Sequence, residues 1–297
     1  MMEVSKKDYL APGHRACPGC GAAIAAKLIL RALGENTIVV SATGCLETFT
    51  ATYEQSAWDV PWIHSLFENA AAVASGVEAA LEMQGRQANI VVISGDGGTF
   101  DIGLGAVSGM FERGNNILYI CYDNEAYMNT GAQRSGATSY LSSTTTTPVG
   151  TASLGKQELK KDMPAIAVAH GLPYVATASI AYPQDLMAKV KKANAIHGPK
   201  YIQVHVPCCV GWGFDPSETV KVAKLAVDTG AAVLYEVENG KYTRMHKVSR
   251  KKDAVEYLKA QNRFRHLCDD DKAAAVEQVQ KLCDTNLSHC ANVLEGS

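Results

Sequence analysis

Apolar residues fall into two alternating patterns along this chain. Unbroken apolar runs at 37–42 (TIVVSA), 89–95 (NIVVISG), 115–124 (NNILYICYDN) and 201–206 (YIQVHV) have the form of strands buried on both faces. A shorter strand is expected near Tyr174-Val175. Between them lie stretches with helical periodicity. One runs from the cysteine turn at 17–20 to Gly34, the next from 65 to Gly85, and a third, rich in small residues, covers 99–114. Two more occupy 162–170 and 183–196. Strands alternating with helices predict an α/β fold, a parallel sheet covered by helices on both faces.

The flanks differ. Residues 1–16 form a polar, irregular arm, and 125–150 a long polar loop with four consecutive threonines. Residues 1–214 are expected to form the α/β domain. Residues 215–297 form a C-terminal extension, mostly helical, with a helix from Ser217 and a hairpin at Asn239-Gly240. Residues 241–266 carry nine Lys/Arg against two acids, which suits a solvated face or a subunit contact. The whole segment 215–297 balances 13 basic against 13 acidic residues, so nucleic-acid binding is not expected.

Composition narrows the class. With 47% hydrophobic and 20% charged residues and a net charge of −2, the 297-residue chain suits a folded protein with no pull toward nucleic acid or an anionic membrane. No apolar run approaches the ~18 residues of a membrane span, and the N-terminus has no apolar leader. Nine cysteines, an odd number, argue against a disulfide framework and for the reducing cytoplasm. Cys121, inside a strand, is expected to be a buried free thiol.

The chemistry gathers at strand ends. Gly44-Cys45, Gly95-Asp96-Gly97-Gly98 and Asp123-Asn124 each follow a buried strand, where ligands sit in parallel sheets. Cys17-Pro-Gly-Cys20, with Cys45 and the later pair Cys208-Cys209, offers sulfur for zinc or an iron–sulfur cluster. The single C-x2-C with scattered partners favours [4Fe–4S]. A lone Gly-Asp-Gly is common in turns, but Asp96 is followed 28 positions later by Asn124 at the next strand end. That pair offers hard oxygen ligands for Mg2+ and a diphosphate. The chain lacks the phosphate loop of nucleoside triphosphatases and a G-x-G-x-x-G after the first strand.

GDG, a 26-residue spacer and Asn resemble the thiamine-diphosphate motif. With CPGC, TGC, GDGGTFDIG, DNEAYMNTGAQRSG and PCCVGW, the chain resembles the β subunit of 2-oxoacid:ferredoxin oxidoreductases over about residues 12–268, most like the pyruvate branch. The resemblance implies a thiamine-diphosphate-binding fold and three cofactors: thiamine diphosphate, Mg2+ and a [4Fe–4S] cluster. Cys17, Cys20, Cys45 and Cys208 match the cluster ligands, Cys208 rather than Cys209 because the family's fourth ligand follows a proline. Asp96, the Asn124 side chain and the Ala126 carbonyl match the Mg2+ ligands. Gly44, Gly95, Gly97 and Gly98 would lie near the cofactor. Asn129 and Thr130 would face thiamine and substrate, and His64 matches a polar position near them, with a purely structural role equally open.

The implied reaction takes pyruvate, CoA and two oxidised ferredoxins to acetyl-CoA, CO2 and two reduced ferredoxins. Other 2-oxoacids, such as oxalate, and a zinc-stabilised subunit without catalysis are the alternatives. The family's activating glutamate is contributed by an α-type subunit. Glu47 and Glu68 are read here as helix-face or salt-bridge residues. Partners would be that α-type subunit, γ-type and ferredoxin-like δ-type subunits, and ferredoxin.

Overall fold

The computed structural model describes residues 7–52 and 55–296; Met1–Lys6 of the polar arm lie outside the described residues. The first half contains α1 (Gly21–Leu33), β1 (Thr37–Ala42), the short helix α2 (Cys45–Thr50), a two-residue hairpin of β2 (Ala51–Thr52) and β3 (Gln55–Ser56), β4 (Trp62–Ser65), α3 (Ala70–Met83), β5 (Asn89–Gly95), α4 (Leu104–Glu112) and β6 (Leu118–Asp123). The small pair β7 (Val149–Gly150) and β8 (Ser153–Leu154) interrupts the long loop. Then follow α5 (Met163–Ala169), β9 (Tyr174–Ser179), α6 (Pro183–Asn194), β10 (Lys200–His205), α7 (Cys209–Trp212), α8 (Thr219–Thr229), β11 (Tyr235–Glu238), β12 (Lys241–Met245), α9 (Ala254–Lys259) and α10 (Ala273–Glu295).

One eight-stranded sheet organises the chain in the order β12-β11-β9-β10-β6-β5-β1-β4. The six strands from β9 to β4 run parallel. Their apolar runs are buried, as expected of strands covered on both sides. One face packs on α1 and α6 through Ile29, Leu30, Leu186 and Val190. The other packs on α3, α4 and α5 through Ala74, Met110, Phe111 and Met163. Cys121 is buried in that second core, as expected.

Three local expectations need correction. The residues after Gly44 form the helix α2 rather than a loop, so Cys45 opens a helix. The helix expected from residue 65 begins at Ala70, because residues 62–65 pair with β1 as the edge strand β4. That strand has four residues, too few for a periodic signal. The helix expected over 99–114 begins with a wide turn at Gly97–Asp101 before α4. Gly103 makes this turn possible, since a Cβ there would lie 2.1 Å from the Gly98 carbonyl oxygen.

The C-terminal segment continues the sheet. Strand β11 pairs antiparallel with β9 and turns into β12 through Asn239 (φ 49°) and Gly240 (φ 79°), the backbone that a two-residue hairpin turn requires. A third core forms where Trp212 meets α8, α9, Phe264 and Leu267. A buried ionic chain ties it to the sheet. Arg263 lies 3.6 Å from the Trp212 ring centroid and pairs with Glu125 at 2.7 Å. Lys160 reaches Glu125 at 3.0 Å and Asp123 at 2.5 Å. Burial alone would raise the Glu125 carboxyl, but the Lys160 ammonium and Arg263 guanidinium outweigh it and hold it well below the usual range. Replacing one partner of such a buried set strands the other's charge, at about 3–5 kcal/mol. Arg263→Met should therefore lower unfolding free energy in urea by about that amount. Lys251→Met, which removes an exposed pair with Asp284 at 2.5 Å, should cost no more than about 1 kcal/mol.

Candidate active site

The carboxyl ends of β10, β6, β5 and β1 lie side by side in the sheet. Each releases a polar residue there: Cys208 after β10, Asn124 after β6, Asp96 after β5 and Cys45 after β1. Two adjoining cavities open at this edge.

The first, about 200 Å³, is lined by Cys17, Cys20, Cys45 and Cys208. Burial, offset by backbone N–H groups and reinforced by the neighbouring thiols, pushes the Cys20 thiol up to about 11. Burial and the same neighbours take Cys45 up to about 12. Cys208 Sγ accepts a hydrogen bond from the Gly211 N–H at 3.3 Å. Cys209 also borders the cavity, but its Sγ donates to the Pro18 carbonyl at 3.1 Å. The loops touch so closely that glycine is required between them. A Cβ on Gly19 (φ 70°) would lie 2.3 Å from the Pro216 carbonyl oxygen, and one on Gly21 would lie 2.6 Å from that of Pro207. Among the described residues, no three His, Cys, Asp or Glu side chains close on one metal-ion position. Cys121, Cys283 and Cys290 are buried, and Cys268 is exposed, all outside this cavity.

The second cavity, about 100 Å³, is lined by Gly44, Gly95, Asp96, Gly97, Asn124, Ala126, Asn129 and Thr130. It shares Cys45, Asn124 and Asn129 with the first. Asp96 is buried and accepts a hydrogen bond from Ser135 Oγ at 2.5 Å. Burial, then the nearby Asp123 charge, pushes its carboxyl well above the usual carboxylate range. One amide atom of Asn124 lies 2.9 Å from Asp96 Oδ1 and 2.9 Å from the Ala126 carbonyl oxygen. Turned as nitrogen, it donates to both; turned as oxygen, it leaves three oxygens face to face with no proton between them. Trp212 Nε1 donates to the Asn124 carbonyl at 2.8 Å and fixes this turn from behind.

Two expected residues stand apart from the cavity. Gly98 lies behind its wall, where a Cβ would meet Ser94 Oγ at 2.7 Å. His64 is exposed at the rim, stacked on Trp62, with Nε2 2.8 Å from Oγ1 of the lining residue Thr43. Glu47 lies on α2 and Glu68 in the turn before α3; neither lines a cavity or forms an ion pair among the described residues. Tyr122, Phe67, Tyr127 and Ser135 escaped the sequence reading. A Cβ on Gly97 would lie 2.4 Å from the Tyr127 ring, so that glycine admits the ring that backs the loop after Asn124.

Residues 41–204, more than half of the chain, match the family described as "Thiamine pyrophosphate enzyme, C-terminal TPP binding domain", and the strands that form this edge lie within that span or next to it. The "Pyruvate synthase subunit PorB" of Methanothermobacter marburgensis is 56% identical over 283 residues, covering 95% of this chain and 98% of that protein. Its counterpart from Methanocaldococcus jannaschii is 52% identical, covering 96% and 97%. "Ketoisovalerate oxidoreductase subunit VorB" of Pyrococcus furiosus is 43% identical, covering 93% and 90%. In fold, the chain is similar to a 2-oxoglutarate:ferredoxin oxidoreductase from Magnetococcus marinus (TM-score 0.57, 23% identity, 74% of this chain and 78% of that one). The chain belongs to the PorB family of pyruvate synthase subunits, β subunits of thiamine-dependent 2-oxoacid:ferredoxin oxidoreductases.

Behind β6 and β10 a third cavity, about 290 Å³, holds His205. The residue is 6% exposed, and neither ring nitrogen has a hydrogen-bond partner among the described residues. Burial pushes the imidazole down to about 4, against a weaker opposing pull from Glu125. Below its ordinary 6.5 the unfolded chain takes up a proton that the folded chain refuses until about pH 4. Stability from this group is therefore whole above pH 6.5 and drains away as pH falls toward 4, by up to about 3 kcal/mol. Urea unfolding at pH 7 and pH 4.5 should show a smaller acid loss in His205→Leu than in the unmodified chain. Equal losses would contradict this account.

Proposed function

We propose that this chain holds thiamine diphosphate through Mg2+ on Asp96, Asn124 Oδ1 and the Ala126 carbonyl, and carries a [4Fe–4S] cluster on Cys17, Cys20, Cys45 and Cys208 beside it. The observation that carries this reading is the common wall: Cys45, Asn124 and Asn129 border both cavities. The donor sets fit. Octahedral Mg2+ at 2.0–2.1 Å places adjacent ligand oxygens about 2.9 Å apart, the spacing of Asn124 from both Asp96 and Ala126. A cation also answers the buried Asp96 carboxylate, which accepts from the Ser135 hydroxyl and forms no ion pair among the described residues. The thiols ring a cavity instead of meeting at a point. A single zinc at ~2.3 Å from each sulfur would draw the sulfurs to about 4 Å from one another.

When bound, thiamine diphosphate supplies the electron sink for 2-oxoacid decarboxylation and an iron–sulfur cluster supplies one-electron chemistry. Asp96 gives the charged oxygen and Asn124 and Ala126 the neutral ones, orienting the diphosphate. Gly44, Gly95 and Gly97 leave backbone close to it. Asn129 and Thr130, both exposed, stand on the side where substrate enters, with His64 on the rim beside Thr43.

Pyruvate is the 2-oxoacid we favour, since the relatives named for pyruvate synthase match at 56% and 52% against 43% for the ketoisovalerate enzyme. CoA accepts the acyl group and ferredoxin the electrons. Asp96 is the only carboxylate among the residues lining the thiamine cavity, which supports an activating glutamate from an α-type subunit. Subunits of γ and ferredoxin-like δ type would complete a cytoplasmic complex, with residues 215–297 as a contact extension. No helix among the described residues is long and apolar enough to cross a membrane.

Iron analysis of the chain purified without oxygen tests the cluster. Cys208→Ser should lose iron and Cys209→Ser should keep it; zinc in place of iron would overturn the assignment. Asp96→Ala should weaken thiamine diphosphate binding at least tenfold, about 1.4 kcal/mol, whereas unchanged affinity would remove Asp96 from the Mg2+ shell. The chain alone, with all three cofactors, should neither decarboxylate pyruvate nor reduce ferredoxin until an α-type subunit is added. Robust turnover by this chain alone would place the missing base within it.

A further inference from the structure

Ser135 lies 39 positions after Asp96 and on no strand or helix, yet it is fully buried and donates its hydroxyl proton to Asp96 Oδ2 at 2.5 Å. Its neighbours set the direction of that bond. Thr138 Oγ1 gives its proton to the Glu125 carbonyl at 2.6 Å and accepts the Ser135 N–H at 2.9 Å. Ser135 Oγ accepts the Ala137 N–H at 3.2 Å. A hydroxyl has one proton to give. The Asp96 oxygen is its near acceptor, with Thr138 Oγ1 farther off at 3.4 Å.

The stretch that carries Ser135 ties both halves of the site together. The Gly136 N–H donates to Asp101 Oδ2 at 2.8 Å, at the end of the wide turn that follows Asp96. The Gln133 carbonyl accepts the Tyr127 N–H at 2.9 Å, in the loop that follows Asn124. The Tyr127 hydroxyl donates in turn to Asp101 Oδ2 at 3.1 Å. A Cβ on Gly136 would lie 2.6 Å from Asp101 Oδ1, so glycine lets the stretch come this close. Ser135 is held from several sides and cannot follow the Asp96 side chain if it turns.

The two oxygens of Asp96 are therefore unequal. Oδ2 is taken by Ser135. Oδ1 lies 2.9 Å from the Asn124 amide atom that is also 2.9 Å from the Ala126 carbonyl oxygen. To bring both oxygens to one cation, the carboxylate would have to rotate about Cβ–Cγ and draw Oδ2 away from Ser135. Mg2+ demands six ligands at about 2.0–2.1 Å in a near-ideal octahedron, whereas Ca2+ takes six to eight at about 2.3–2.6 Å and accepts a carboxylate through both oxygens.

We propose that Ser135 is a positioning residue that reserves Asp96 Oδ2, so that the carboxylate meets the diphosphate-bound cation through Oδ1 alone and the site selects Mg2+ over Ca2+. The proposal rests on the reading of Asp96, Asn124 and Ala126 as the Mg2+ ligands.

Calorimetric titration of thiamine diphosphate into the full chain, at a series of Mg2+ or Ca2+ concentrations, gives the apparent affinity for each cation. The unmodified chain should prefer Mg2+. Ser135→Ala should weaken Mg2+ about tenfold, the low end of the cost of losing an outer partner of a metal ligand, and weaken Ca2+ much less. No preference in the unmodified chain, an equal loss for both cations, or no loss for either overturns the role of Ser135. An equal loss is what slackened packing alone would give. Should Ser135→Ala fail to fold, infrared difference spectra of the unmodified chain decide, with its aspartates labelled by 13C at the carboxyl and thiamine diphosphate bound. The two carboxylate stretches should lie far apart with Mg2+, as for one coordinating oxygen; a narrow separation, as for two, overturns the proposal. Thiamine diphosphate binding that needs no divalent cation, or that Asp96→Ala leaves unchanged, overturns instead the Mg2+ reading beneath it.

Discussion

Everything at the site depends on the hydrogen-bonded register of four parallel strands. Gly95 of β5 lies opposite Tyr122 of β6, and Asp123 of β6 opposite His205 of β10. Neighbouring strands sit about 4.8 Å apart, so ends that are adjacent in the sheet hold their loops within side-chain reach. Residues from Cys17 to Cys208 are brought to one edge in this way. A slip of one position would send Tyr122, whose side chain stands against Gly44 and Gly95, to the opposite face.

Two aspartates at neighbouring strand ends illustrate how burial is handled. Asp123 receives Lys160 and Gln203 on one oxygen and the Glu125 N–H on the other, so its charge is met within the chain. Asp96, equally buried, has a serine hydroxyl. The first belongs to a completed ionic chain that anchors Arg263 and the C-terminal core. The second forms no ion pair among the described residues, and in the proposed reading a bound cation supplies the missing positive charge.

The parallel sheet was legible because its strands are unbroken apolar runs and its helices end at glycines. The hairpin at Asn239-Gly240 was legible from its turn residues. The strand-end residues Cys45, Asp96 and Asn124 stood out for the same reason: polar groups follow apolar runs there. Other features leave no such trace. Strand β4 has only four residues. In a fully buried strand every position is apolar, so nothing in ILYICYD tells Tyr122, against the functional loops, from Tyr119, against α4. Ser135 reaches Asp96 across 39 positions of irregular chain. Gly98 looked equivalent to Gly97 in sequence, yet packing alone decides which glycine borders the cavity. Arg263, one of nine basic residues in the stretch read as a solvated face or subunit contact, is buried against Trp212.

The hairpin has a consequence for self-association. A parallel sheet ending at β9 would offer bare N–H and C=O groups to any passing strand. Strands β11 and β12 cover that side, and the outermost, β12, presents the exposed charges of Lys241 and Arg244. At the far side β4 is only four residues long, with Pro61 before it removing a donor. Both margins are thus poor templates for a second copy, which discourages the chain from stacking into strand-paired aggregates. Association through loops and helices remains open to it.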